Sequence, residues 1–188
     1  MPFKFERMDI PDLVLIKAHT FSDDRGYFLE TYKYSEFAEN GINDNFLQDN
    51  FSHSTHGVLR GLHFQKEPHA QAKLVKVLRG AIFDVAVDIR PNSPTFGQWV
   101  GLKLTGQEHQ MFYIPEGFAH GFCVISDEVD FVYKVSSEFA PDFDGGISWN
   151  DPEIGIKWPI ETPQLSPKDA KLPILADLEK NFLDPGEN

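Results

Sequence analysis

From Leu13 to Val135 the sequence breaks into short runs in which apolar and polar residues mostly alternate, and turn residues close most runs. This rhythm constrains the fold more than any other feature. Alternation at period two lets a strand bury one face, whereas a helix needs apolar residues every third or fourth position. The pattern predicts strands over residues 13–18, 27–32, 46–52, 59–65, 73–78, 81–89, 99–104, 110–114, 118–125 and 130–135. Arg79-Gly80 reads as a tight hairpin turn between two of them. Residues 90–94 and 142–146 carry loop chemistry, rich in Pro, Asn, Asp and Gly. Helical patterning is confined to residues 34–40, with Ser35 as candidate cap and Gly41 as stop, and to a turn or two near 176–181. Many short strands with frequent turns imply an all-β sandwich, jelly roll or barrel.

A chain of 188 residues suits one domain with a sizeable core. We expect residues 1–188 to form that single domain, with the Pro-rich stretch 158–188 as a C-terminal flap of short helices packed on the barrel. Seventeen Phe and a hydrophobic fraction of 41% exclude a disordered chain. The formal net charge of -12 disfavours nucleic-acid and anionic-membrane partners. An anionic ligand would need a local pocket of Arg and Lys. The one cysteine, Cys123, lies in an apolar run and reads as a small buried side chain. No apolar run approaches a membrane span, and the charged N-terminus lacks a signal-peptide core, so the expected location is cytoplasmic.

Polar residues on faces that otherwise read as core mark candidate chemistry. Lys73 shares a face with Val75 and Val77, and reads either as a strand-end lysine reaching solvent or as a buried amine. Tyr133 shares one with Val129, Phe131 and Val135, which would put a phenol inside the barrel. Asp84 and Asp88 lie on a face with Ile82 and Ala86, either toward solvent or in a polar cavity. His63 alternates with Leu59, Gly61 and Gln65, while Arg60 falls on the opposite face unless a bulge at Gly61 turns both to one side. His120 has small or apolar neighbours on both sides. The other histidines sit in polar or loop-like surroundings.

Pro115-Glu116-Gly117-Phe118-Ala119-His120 resembles the second motif of the cupin superfamily, and Gly57 to His63 resembles the start of its first. The first motif is degenerate here, because His63-Phe64-Gln65 replaces His-x-His. Two histidines and a weak amide make a poor metal set. The resemblance implies a cupin-type jelly-roll barrel (a double-stranded β-helix) with short peripheral helices and no bound metal. Without a metal, histidine is the natural base near neutral pH.

Along nearly its whole length the chain resembles the dTDP-4-dehydrorhamnose 3,5-epimerase family. The segments that carry the resemblance are residues 21–30, Gln48-Asp49-Asn50, 57–65, Lys73-Leu74-Val75, 83–90, 93–99, 114–122, Tyr133-Lys134, Trp149-Asn150-Asp151 and 165–170. It implies epimerisation at C3 and C5 of dTDP-4-dehydro-6-deoxy-D-glucose through enolates, within dTDP-L-rhamnose biosynthesis and without a cofactor. By the same resemblance His63 is the base, Asp169 its orienting carboxylate, Tyr133 the acid on the opposite face, and Lys73, with His120 nearby, the enolate stabiliser. Arg60 matches a phosphate contact. Arg25, Glu30, Gln48, Asp49 and Asn50 match the nucleotide-site segments, and Asp144 and Lys168 further substrate-contact positions. Part of that site is expected from a partner subunit, hence a homodimer. This chain departs from the family at Asp144, where Glu is commoner, at Ala72, where Gly is usual, and at Phe51, often His. The alternatives are a 3-epimerase-only paralogue, a metal-dependent cupin enzyme and a non-catalytic cupin binding module.

Overall fold

The computed structural model describes residues 2–182, with side chains to residue 178. Thirteen strands and two α-helices are found among these residues. The strands are β1 (Phe3–Arg7), β2 (Val14–Ala18), β3 (Phe21–Asp23), β4 (Gly26–Phe28), β5 (Gln48–Thr55), β6 (Leu59–Gln65), β7 (Lys73–Arg79), β8 (Ala81–Asp88), β9 (Trp99–Thr105), β10 (Gln110–Ile114), β11 (Phe118–Val124), β12 (Glu128–Val135) and β13 (Asp144–Gly146). Helix α1 covers Tyr34–Glu39 and α2 Leu175–Phe182.

Two antiparallel sheets face each other, in the order β1-β2-β10-β7-β12-β5 and β13-β6-β11-β8-β9. This is the expected jelly roll. The core between them takes Val75, Val77, Phe112 and Phe131 from the first sheet and Ile82, Ala86, Phe122 and Val124 from the second. Alternation along β7 and β12 therefore turns Lys73 and Tyr133 inward with the core row, as their parity predicts. The outer face of the first sheet is covered by α1, whose Phe37 meets Phe3 and Phe5 edge-to-face at 5.3 Å. The outer face of the second is covered by the C-terminal stretch, including Ile154 and Leu175.

Asp84 and Asp88 are both fully buried, which decides for the interior against a solvent face. Asp88 organises the loop after β8. Its carboxylate accepts hydrogen bonds from Arg90, Ser93 and Thr95. Burial raises its pKa, but these donors outweigh it and leave the group at about 2. Asp151, from the Trp149-Asn150-Asp151 run, is also buried; it accepts from the backbone N–H of Ile154 and, at 2.6 Å, of Leu175. That run anchors the first residue of α2.

Several boundaries differ from expectation. The strand expected over 27–32 ends at Phe28, and β3 pairs with it as an exposed hairpin. Strand β1 was not expected. Residues 144–146, read as loop, pair with β6 as a short edge strand, since two glycines offer no alternation to read. Ser35 does not cap α1; Lys33 holds the cap position without a side-chain bond. The segment after Trp158 is largely irregular before α2. Gln164 bridges Val58, and a 3-10 turn covers Asp169–Lys171. Of residues 158–188, those beyond 182 lie outside the described residues.

Candidate active site

A cavity of about 520 Å³ opens between the sheets. Strand β6 contributes Arg60 and His63, β7 Lys73, β11 His120, β12 Tyr133 and β13 Asp144. The C-terminal segment adds Ser166, Lys168 and Asp169. Every proton-transfer residue expected from the sequence thus lines one cavity.

His63 and Arg60 share it because β6 carries a bulge. His63 pairs with His120 and Arg60 with Phe122, so two β6 residues stand opposite the single Gly121. Gly61 makes the bulge feasible. Its φ is +119°, and a Cβ there would sit 2.5 Å from the Gly121 Cα and 2.7 Å from the His120 carbonyl. The extra residue turns Arg60 inward, where its Nε donates to Ser54 Oγ on β5 at 3.1 Å. No ion pair of Arg60 with a carboxylate is found among the described residues. Its charge is therefore available to an anion in the cavity.

The His63 Nε2–H donates to Asp169 Oδ1 at 2.7 Å, which leaves the lone pair on Nδ1. Asp169 is buried and is itself set by its backbone N–H donating to Ser166 Oγ at 3.0 Å. Burial lowers the imidazole pKa below the ordinary histidine value, while Asp169 pulls it back up. The net shift favours the neutral ring.

Lys73 does not reach solvent. It is buried, its Nζ donates to the His63 carbonyl at 3.1 Å, and burial pushes its pKa down to about 8 despite Asp84 and Asp144. Behind it the His120 Nε2 meets the Asp84 carboxylate at 3.0 Å. Tyr133 lies on the wall opposite His63, in the other sheet. Burial raises its pKa, with Arg60 opposing, so the phenol keeps its proton. Lys168 pairs with Asp144 at the rim. Arg60, Lys73 and Lys168 form the local basic pocket that an acidic chain needs in order to hold an anion.

Other expected contacts lie elsewhere. Arg25 is at the tip of the β3–β4 hairpin, paired with Asp23 at 2.5 Å and 90% exposed. Glu30 lies beside His19 and Lys33 in a separate depression. Asp49 faces outward and pairs with Lys134 at 2.8 Å. Gln48 and Asn50 lie on β5 bonded to each other, outside the cavity lining. Gln65, the amide of the degenerate metal motif, spends both ends on backbone groups of other segments. The sequence reading missed Ser52, Gln71 and Phe139, which also line the cavity. Gln71 continues the inward row of Lys73, Val75 and Val77 and was legible on parity; Phe139 belongs to no alternating run.

Comparison with known proteins points to one family. The family model described as dTDP-4-dehydrorhamnose 3,5-epimerase matches residues 7–177. The curated protein of that name from Shigella flexneri is 51% identical over 87% of this chain and 91% of its own length. A dTDP-4-dehydrorhamnose 3-epimerase from Streptomyces niveus is 45% identical over 83% of this chain and 76% of its own length. The solved structure of a dTDP-6-deoxy-D-glucose-3,5-epimerase from Legionella pneumophila, in complex with dTDP-4-keto-L-rhamnose, superposes with a TM-score of 0.92 at 45% identity, covering 99% of this chain and 100% of its own. The chain belongs to the dTDP-4-dehydrorhamnose 3,5-epimerase family.

Proposed function

We propose that this protein inverts C3 and C5 of dTDP-4-dehydro-6-deoxy-D-glucose, giving dTDP-4-dehydro-L-rhamnose. The observation that carries the reading is the placement of a neutral base, His63, and a protonated phenol, Tyr133, on opposite sheets across one cavity, with Lys73 reaching between them. The C4 ketone acidifies the protons on C3 and C5. His63 Nδ1 takes one of them, and the electron pair of the C–H bond passes to the C4 oxygen as an enolate. The Lys73 ammonium donates to that oxygen, with His120 held by Asp84 alongside. A preorganised donor of this kind is worth about 3 kcal/mol. The enolate collapses as Tyr133 delivers its proton to the opposite face, which inverts the carbon. Solvent returns a proton to the phenolate and removes one from His63, and the cycle repeats at the second centre. Asp169 fixes the imidazole tautomer and stabilises the imidazolium. Arg60 holds the diphosphate.

The working unit is a homodimer of single-domain chains in the cytoplasm, acting without a metal or other cofactor. Support for the dimer comes from the β3–β4 hairpin, which projects Tyr27 and Phe28 into solvent at 62% and 66% exposure with Arg25 at its tip. An apolar arm of this kind suits a site completed by a partner subunit, and accounts for Arg25 and Glu30 standing away from the chain's own cavity.

The kinship with a 3-epimerase keeps a second reading in view, in which only C3 is inverted. Turnover in D2O followed by NMR separates the two. Deuterium at both C3 and C5 is expected; label confined to C3 overturns the double epimerisation.

A further inference from the structure

Residues 137–140 follow β12 but join no sheet, and side chains meet one backbone group of each. Gln71 Nε2 donates to the Ser137 carbonyl at 2.7 Å. Gln65 Nε2 donates to the Glu138 carbonyl at 3.2 Å and to that of His69 at 2.7 Å. The Phe139 N–H donates to Gln48 Oε1 at 2.9 Å, and the Ala140 N–H to Gln65 Oε1 at 2.7 Å. Four consecutive residues are thus held by three glutamines from three parts of the chain. The remaining end of Gln48 donates to Asn50 at 2.8 Å, so that amide is already used at both ends. Just before this segment, Ser136 and Ala72 exchange hydrogen bonds, with the Ser136 N–H donating to the Ala72 carbonyl and Ser136 Oγ accepting from the Ala72 N–H.

The segment presents one large side chain to the cavity, Phe139, a residue 55% exposed at the mouth. A loop would ordinarily let such a ring swing. Fixing the backbone on both sides of Phe139 removes the backbone share of that freedom before a ligand arrives, which lowers the ordering cost of binding. Neutral amides do so without adding charge near Lys73 and His63, whose protonation states the chemistry needs.

We propose that Gln48, Gln65 and Gln71 are positioning residues that act on substrate binding through Phe139, by clamping residues 137–140 so that its ring is held as a wall against the bound sugar nucleotide. This rests on the epimerase reading for its ligand.

A double-mutant cycle tests the idea. Gln71→Met keeps the side chain's size and loses its donor. In the wild-type background it is expected to lower kcat/KM about tenfold, the effect of one lost hydrogen bond, with most of the change in KM. In the Phe139→Ala background the same substitution is expected to cost less than about twofold. Amide hydrogen exchange at Phe139 and Ala140, measured without ligand, is expected to accelerate in Gln71→Met while exchange in β7 and β12 stays unchanged. A tenfold loss in both backgrounds, no loss in either, or unchanged exchange at Phe139 overturns the proposal. The exchange arm stands apart from the epimerase reading: a wild-type protein without epimerase activity would sink that reading and leave the clamp to be judged by exchange alone.

Discussion

His63 and Asp169 stand 106 positions apart in the chain, and their side chains meet at 2.7 Å inside the cavity. The contact exists because the C-terminal segment crosses β6, bridging through Gln164 to Val58 before the 3-10 turn that begins at Asp169. Replacing Asp169 with Asn keeps the shape but permits the wrong imidazole tautomer. A fall in kcat of about 10³-fold is expected, with KM moving less than roughly threefold. Steady-state kinetics check this, and a kcat within tenfold of wild type would remove Asp169 from the mechanism.

The pH profile follows from two displaced groups. As the proposed base His63 must be neutral, and burial holds its pKa below the ordinary value of 6.5, so activity is expected to rise with pH below that value. As the proposed enolate stabiliser Lys73 must be charged, and burial sets it at about 8, so activity is expected to fall as pH rises through that value. A bell-shaped kcat/KM profile is expected, with its upper limb near 8. Because Asp169 raises the His63 pKa, Asp169→Asn is expected to shift the lower limb further down. Titration of kcat/KM in both proteins checks both signs.

Lys73 also costs the fold stability. Its drop from the ordinary 10.5 to about 8 corresponds to on the order of 3 kcal/mol at pH 7. Removing it forfeits the hydrogen bond to the His63 carbonyl, about 1 kcal/mol. Lys73→Met is therefore expected to be more stable than wild type by about 2 kcal/mol at pH 7, and nearly inactive. The sign has a further consequence. Between about pH 8 and 10.5 the unfolded lysine binds more protons than the folded one, so wild type gains stability as pH rises and the two proteins converge. Denaturant melts at pH 7 and pH 10 check this; a destabilised variant at pH 7 would show that the buried amine is not strained.

Much of this site was legible in the strand pattern. Parity put Lys73 and Tyr133 in rows with core residues, but it left open whether Lys73 ended in solvent and whether the Asp84 face met solvent or a cavity; burial decides both for the interior. The same parity separated His63 from Arg60, and only Gly61, with its positive φ, told that a bulge reunites them. Asp169 carries no local pattern. Its place depends on a long irregular crossing, and only family resemblance singled it out. Gln65 was read as a relic of a metal motif, because nothing local shows which distant backbone groups a buried amide will meet. Strand β13 failed for the opposite reason: Asp144-Gly145-Gly146 pairs through backbone that a sequence pattern does not report.

The position of Arg25 yields the sharpest test of the dimer. In the proposed assembly Arg25 serves the partner's cavity, whereas His63 serves its own. A homodimer of Arg25→Ala chains has two sites lacking the arginine, and a homodimer of His63→Asn chains has two lacking the base. In a mixed dimer the two lesions fall in the same cavity, and the other cavity has both groups intact. Co-expression at equal levels gives about half mixed dimers with one working site each, so about a quarter of wild-type activity is expected from two nearly inactive parents. Activity no higher than the mean of the parents would show that Arg25 does not act across a subunit boundary, and would return the β3–β4 hairpin to the chain's own surface.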